Sequence, residues 1–330
     1  MRMVRSQTTH MVSLDEIRAA RSLLQGIAVR TPLVQCKLAG GRQIFIKPEN
    51  LQPVGSFKMR GAYNKIASLT AEERRRGVVA HSSGNHAQGV AFAARALGVP
   101  ATIVMPGNAP KVKMEATRTM GAEIVTVGPA SQDRIRKAEE LAKQCGLVPV
   151  PPYNDEMIIA GQGTIGLEIL DDLGDVEVVL VPVGGGGLIS GIATAIKELR
   201  PQAKIIGVEP EFAADARESL RAGKIQFTLA ENAIKTLADG LRSQSVGPVN
   251  FEHIRKYVDA IIAVKEDEIK KAMRRLLFAG RILAEPSGAV TTAAAMFHAD
   301  EVPQSQKTVA VVSGGNIEPQ LFTEILTGTI

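Results

Sequence analysis

The stretch VVLVPVGGGGLISGIA, residues 178–193, decides the fold. Val178 to Val183 is an apolar, β-branched run of the kind found in strands buried on both faces. Gly184, Gly185, Gly186 and Gly187 then bare the backbone, and the segment from Leu188 has helical composition. A strand that runs through a glycine loop into a helix sets unobstructed N–H groups at the positive helix end, which is how a phosphate is held. A tight turn needs one or two glycines. Four in succession, each costing up to about 1 kcal/mol of chain entropy, point to an anion site. No Lys-Ser/Thr follows, so this is not a P-loop, and the GxGxxG pattern with a downstream ribose-binding acid is missing. The uncharged run from Val178 to Ile196 approaches the ~20 residues that span a bilayer, but Pro182 and the glycines would break such a helix at its middle.

Outward from this unit, strands and helices alternate. Apolar runs at Ile44 to Ile46, Val78 to Ala80, Ala101 to Met105, Ile124 to Val127, Ile205 to Val208 and Val309 to Val312 predict further buried strands. Helices are predicted near 58–68, 88–97, 112–120, 133–144, 166–173, 188–199 and 266–278. Ser13 followed by Glu16 is a capping box that opens another helix, through about Leu24. The expected fold class is α/β, with two lobes, each an open and mostly parallel sheet covered by helices.

Composition narrows the function. With 330 residues, 45% hydrophobic and 22% charged, the chain has the make-up of a globular enzyme, large enough for two modest cores. The net charge is +5 but basic residues are interspersed with acids, and aromatics make up 4%, so no nucleic-acid stripe forms. Cys36 and Cys145 make no metal or disulfide pattern, which fits a reducing cytoplasm. Arg2 and Arg5 are followed by polar residues, not by the apolar core of a secretory signal. The first ten residues read as a short extension, with Met11 as an alternative start.

Two more loops follow strand-like runs: His81-Ser82-Ser83-Gly84-Asn85-His86 after Val78 to Ala80, and Ser313-Gly314-Gly315-Asn316 after Val309 to Val312. Loops at the carboxyl ends of parallel strands converge on one crevice, so the three can surround a single ligand. In Gly55-Ser56-Phe57-Lys58-Met59-Arg60-Gly61-Ala62 a lysine opens a helix among small and apolar neighbours. Such a residue is either a solvated helix lysine or, with its pKa lowered by the helix dipole and desolvation, an amine nucleophile.

Taken in order, Ser56 to Ala62, Ser82 to His86, Gly184 to Leu188 and Ser313 to Asn316 resemble the motif set of the threonine/serine dehydratase and serine racemase family, within the tryptophan-synthase-β-like pyridoxal-phosphate enzymes. The resemblance runs from about residue 13 to residue 325. It implies that Lys58 binds pyridoxal 5'-phosphate covalently and acts as catalytic base. Phe57 would pack beside the ring, Asn85 would bond the ring oxygen, Gly184, Gly185, Gly186, Gly187 and Leu188 would hold the phosphate, and Ser313 with Gly314 would face the ring nitrogen. Ser82, Ser83, Asn85 and His86 are implied to bind the substrate. The implied activity is an L-threonine/L-serine ammonia-lyase that eliminates the β-hydroxyl and releases 2-oxobutanoate or pyruvate with ammonia.

Ser83 also resembles the serine with which racemases reprotonate Cα, so serine racemase with side elimination is the alternative reading; hydroxyaspartate is an alternative substrate. Glu209, Ala213 and Asp215 keep the spacing at which metal-dependent members hold Mg²⁺ or Ca²⁺, with a helix N-cap cluster of acids after a strand as the alternative, and Glu285-Pro286-Ser287-Gly288 resembles the metal-binding branch as well. Arg134 matches a position near the entrance of some racemases, although a surface helix arginine is the preferred reading. The family implies a homodimer, with a tetramer as the alternative. The expected division is a large cofactor-binding domain, residues 1–68 and 155–330, and a small mobile domain, residues 69–154. A non-catalytic sensor on the same fold would not need Lys58, Asn85 and Ser313 together.

Overall fold

The computed structural model describes residues 10–38, 41–109 and 111–330; the reading of the N-terminal extension falls on residues 1–9, outside them. In chain order come α1 (Leu14–Leu23), β1 (Val34–Lys37), β2 (Gln43–Pro48) and α2 (Lys58–Ala67). Then follow α3 (Ala71–Arg76), β3 (Val78–His81), α4 (Asn85–Leu97), β4 (Ala101–Pro106), α5 (Lys111–Thr119), β5 (Glu123–Val127), α6 (Ser131–Cys145) and β6 (Val148–Pro149). The chain continues through α7 (Glu156–Asp172), β7 (Val178–Pro182), α8 (Gly187–Leu199), β8 (Lys204–Pro210), α9 (Asp215–Ala222), α10 (Ala230–Ala233), α11 (Pro248–Tyr257), β9 (Ala260–Val264) and α12 (Glu266–Arg275). It ends with α13 (Pro286–Phe297), β10 (Thr308–Val312) and α14 (Pro319–Thr327).

Two sheets result. The larger has strand order β1-β2-β10-β7-β8-β9 and is parallel except for the antiparallel β1–β2 pair; the smaller, β5-β4-β3-β6, is parallel throughout. The expected α/β class with two helix-covered parallel sheets is what the chain adopts. All the expected strands form. The period of two is visible in β7, where Val178 and Leu180 pack into the core shared with α12 and α13, while Val179 and Val181 pack into that of α8 and α11. In the smaller sheet, Val78 and Ala80 face α2 and α4, and Val79 faces α6. β5 departs from expectation: Glu123 and Thr126 are exposed, as an edge strand permits.

Among the described residues no helix is long and apolar enough to cross a membrane. The run that failed that test on sequence is instead β7, its glycine loop and α8, with Val178 through Val183 all buried.

Candidate active site

The site forms where the carboxyl ends of β7, β10 and β3 meet the amino end of α2. Lys58 is the first residue of α2, which has no acid in its first turn and no side-chain cap. The preceding segment is tied to the loop after β10: the Phe57 amide donates to the Ser313 carbonyl at 3.1 Å, the Gly315 amide donates to the Gly55 carbonyl at 3.0 Å, and Ser56 bridges Gly314. The Lys58 side chain is half-buried by area. Its Nζ donates to the Pro152 carbonyl at 2.7 Å and sits 5.2 Å from the Phe57 ring centroid. Burial pulls its pKa down to about 8, against the opposing charge of Glu285. At neutral pH a useful fraction of a nucleophilic amine is therefore present.

The glycine loop is built for close approach. Gly186 caps α8 at φ 94°, a conformation that side chains resist. A Cβ on Gly185 would penetrate the Tyr153 ring, and one on Gly187 would lie 3.1 Å from the Tyr153 Cα. The first turn of α8 holds no acidic residue, so its free N–H groups meet no competing carboxylate of their own helix. Pro152 and Tyr153, consecutive residues, thus touch the lysine amine and the cradle respectively. This is the observation that joins amine and anion site into one ligand position, and it fits an aldehyde that carries a phosphate.

From the smaller sheet, the loop after β3 delivers Ser82, Ser83 and Asn85, all half-buried, to the start of α4. The Ser82 hydroxyl accepts from the Gly84 amide at 3.3 Å. His86 is buried, and its Nε2 donates to the Val150 carbonyl at 2.8 Å. Burial and then the charge of Lys58 hold the ring neutral, with a pKa near 3. His86 therefore offers its backbone N–H to an anion, not a charged ring. Asn85 is held from both sides: Nδ2 donates to Glu285 Oε1 at 2.7 Å, and Oδ1 accepts from Asn316 Nδ2 at 2.8 Å. Ser313 is 3% exposed, and its hydroxyl reaches the Ser287 carbonyl only at 3.5 Å, a contact weak enough to exchange for a ring nitrogen.

The acidic segment lies apart from these groups. Glu209, fully buried at the end of β8, accepts from the amides of Ala216 and Arg217 at 3.0 and 2.9 Å and so caps α9. Asp215 is 2% exposed, and neither carboxylate oxygen completes a hydrogen bond. Burial raises both pKa values, and Asp215 raises that of Glu209 further. A second buried acid, Asp215, with both oxygens orphaned next to the capping Glu209 suits a hard cation. Among the described residues no three His, Cys, Asp or Glu side chains gather as a metal cluster, so a cation would depend on carbonyl and water oxygens as well.

Two participants escaped the sequence reading, the Pro152 carbonyl and Tyr153; a third, Glu285, figures there only within a segment that resembles the metal-binding branch. Glu285 lies at Asn85 and Gly314, at the lysine end of the cleft. Arg134, in the first turn of α6, is half-buried, and its charge is felt by His81 at the end of β3.

The sequence profile described as "Pyridoxal-phosphate dependent enzyme" matches residues 24–314. The L-threonine ammonia-lyase of Thermotoga maritima is 47% identical over 320 residues, covering 96% of this chain and 78% of that protein. The catabolic L-threonine dehydratase TdcB of Escherichia coli K12 is 43% identical over 318 residues, 95% of this chain and 96% of that protein. Among solved structures, the threonine deaminase of T.th. superimposes with a TM-score of 0.87 at 41% identity, covering 93% of this chain and 99% of that one. Serine racemase from Dictyostelium discoideum gives 0.86 at 37% identity over the same shares.

Proposed function

Since the chain belongs to the family of pyridoxal-phosphate dependent enzymes, among its threonine dehydratase and serine racemase relatives, we propose that it is an L-threonine ammonia-lyase that also accepts L-serine. The carrying observation is the Lys58 amine, poised at a pKa of about 8 and joined to the glycine cradle through Pro152 and Tyr153.

When bound, pyridoxal phosphate supplies an electron sink for charge that develops at the substrate Cα. Everything else falls to the chain. The amides of Gly185 to Leu188 and the dipole of α8 bind the phosphate. Phe57 would pack beside the ring, Asn85 would donate to the ring oxygen, and Ser313 would face the ring nitrogen. The Ser313 hydroxyl would hold a proton on that nitrogen less firmly than a carboxylate would. The substrate carboxylate lies on Ser82, Asn85 and the N–H groups that open α4. Lys58 removes the Cα proton as general base. Loss of hydroxide as water, followed by hydrolysis, leaves a 2-oxo acid and ammonia.

Ser83, on the same loop, is the proton donor that racemisation would need; the likeness to serine racemases supports that second activity. Conversion of L-serine to D-serine, abolished in Ser83→Ala with elimination spared, would establish it.

Glu209, Asp215 and the Ala213 carbonyl are the proposed cation ligands, for Mg²⁺ or Ca²⁺, supported by the orphaned oxygens of Asp215. We assign residues 1–68 and 155–330 to the large domain and 69–154 to the small mobile one, in line with the two sheets. A homodimer is supported by exposed Leu51, Phe278 and Leu283. The free thiols of Cys36 and Cys145 suit a cytoplasmic setting.

Borohydride reduction of the yellow holoenzyme followed by peptide mapping tests the lysine, with label expected at residue 58. Release of 2-oxobutanoate from threonine tests the reaction. Label at another lysine, or no 2-oxo acid from threonine or serine, overturns the proposal.

A further inference from the structure

The Glu285 carboxylate is buried at the head of α13, 3% exposed, with its own amide donating to the Gly314 carbonyl at 3.1 Å. Its Oε1 lies directly over Gly314: a Cβ there would come within 2.5 Å of it, and within 3.1 Å of Asn85 Nδ2. The carboxylate therefore stands between Asn85 and the loop that carries Ser313, inside the cleft. A helix N-terminus is where a carboxylate keeps its charge at least cost.

The hydrogen bonds around it leave one solution for the Asn85 amide. A carboxylate can only accept, so the end of Asn85 that meets Glu285 at 2.7 Å must be the NH₂. At the other side, Asn316 must present its NH₂ to the Val54 carbonyl at 2.8 Å, because a carbonyl also only accepts. The second hydrogen of that NH₂ then meets Asn85 Oδ1 at 2.8 Å. Both ends of Asn85 are fixed by groups whose roles cannot be exchanged. One Nδ2 hydrogen of Asn85 is used by Glu285, and the other is left for a ligand acceptor.

We propose that Glu285 is a positioning residue of the active site: together with Asn316 it locks the Asn85 amide so that an N–H faces the cofactor's ring oxygen, and its negative charge faces Lys58. The inference rests on the reading of Asn85 as the ring-oxygen donor. Without the lock the amide could turn its oxygen toward that anionic atom and repel it. The charge has a separate effect, because it favours the protonated state of the lysine nitrogen. Among the described residues His86 on α4, which is neutral, also feels Lys58, and the amine donates to the Pro152 carbonyl and lies by the Phe57 ring. The charge of Glu285 thus opposes the larger effect of burial on the amine.

The test uses holoenzyme and two readouts besides turnover: cofactor retention on dialysis, and the pH titration of the visible imine band. Glu285→Gln keeps an acceptor but not the charge; it should retain cofactor within about twofold while the titration moves to lower pH by about one unit or more. Asn316→Ala loosens the lock alone, so retention should weaken about tenfold with the titration unmoved. Glu285→Ala should show both changes. If Asn85→Ala loses cofactor while Glu285→Gln, Glu285→Ala and Asn316→Ala all match the parent in both readouts, the proposal falls alone. If Asn85→Ala itself retains cofactor as tightly as the parent, the assignment of Asn85 falls and takes the proposal with it. Should Glu285→Ala fail to fold, the other two variants, on different elements, still decide.

Discussion

Replacing Arg60 by methionine should destabilise the protein severely without removing any side chain of the cleft itself. Arg60 is 1% exposed and bonds four carboxylate oxygens: Nε and Nη2 reach Glu49 at 2.8 and 2.9 Å, and Nη1 and Nη2 reach Glu168 at 2.6 and 3.0 Å. Lys47, also fully buried, donates to Glu168 at 2.6 Å. Two cations thus balance two anions, and the guanidinium is held charged beyond its ordinary range: burial disfavours its charge, and Glu49 and Glu168 outweigh it. With Arg60 gone, Glu49 keeps only the Thr31 hydroxyl and the Gln52 amide. Leaving one buried charge uncompensated costs about 3–5 kcal/mol. With an unfolding entropy of about 2.1 cal/mol/K per residue, that lowers Tm by roughly 4–7 °C for a chain of this length. Scanning calorimetry reads it, with Arg60→Lys expected to fall between variant and parent. The pH dependence carries a sign. Burial pushes Glu168 up, but Arg60 and Lys47 outweigh it and hold its carboxyl below the ordinary value. Its contribution is present above the unfolded pKa and is lost as pH falls through the folded one, so the gap between parent and Arg60→Met should narrow below about pH 4. A methionine variant within about 1 kcal/mol of the parent at neutral pH would refute the reasoning.

Gly185→Ala should release the cofactor, because the new methyl collides with the Tyr153 ring; Tyr153→Ala in the same chain should restore retention, as absorbance after dialysis would show. With a pKa of about 8, roughly one Lys58 amine in ten is unprotonated at pH 7, so cofactor uptake by stripped protein should rise about tenfold between pH 6 and 7 and level off above pH 8. An ordinary lysine would give a rate still climbing at pH 9. Mg²⁺ or Ca²⁺ at a hundredfold over its dissociation constant should stabilise the parent by about 2.7 kcal/mol, and Asp215→Ala should abolish the effect in a thermal melt.

The parts of this fold that were legible in the sequence are those whose signal is local. The β7–α8 unit could be read because a β-branched run, a glycine run and a helix former stand side by side. The start of α7 could not. The helix begins at Glu156, capped by Asp155 through the amides of Met157 and Ile158, whereas the expected start was Gly166. Gly161, Gly163 and Gly166 look like helix breakers, yet they are notches for packing: a Cβ on Gly161 would lie 2.6 Å from the Gly61 Cα, and one on Gly163 3.0 Å from the Gly191 carbonyl. Helix α13 escaped for the opposite reason, since residues 286–295 are buried on every side and show no amphipathic period. At the end of α12 the expected helix runs instead into a π-turn at Leu276–Gly280, followed by Arg281 at φ 57°. The interior ion pairs carry no local mark, because Lys47, Glu49, Arg60 and Glu168 find their charged partners more than ten residues away.

The same contrast explains why the lysine stands where it does. Helix α2 packs against α4 of the smaller sheet and α7 of the larger, and a Cβ on Gly89 would come 3.0 Å from the Lys58 carbonyl carbon. Arg60, two residues on, lies about 200° around the helix from Lys58. The buried quartet therefore grips α2 from behind while its amine faces the cleft. A helix wedged between two sheets by small residues and pinned by four charges cannot rotate without breaking ion pairs at full desolvation cost. The nucleophile is placed by structure that never touches the ligand, so a loss of Arg60 that lowered kcat at temperatures well below Tm would be read as misplacement of Lys58, not as unfolding.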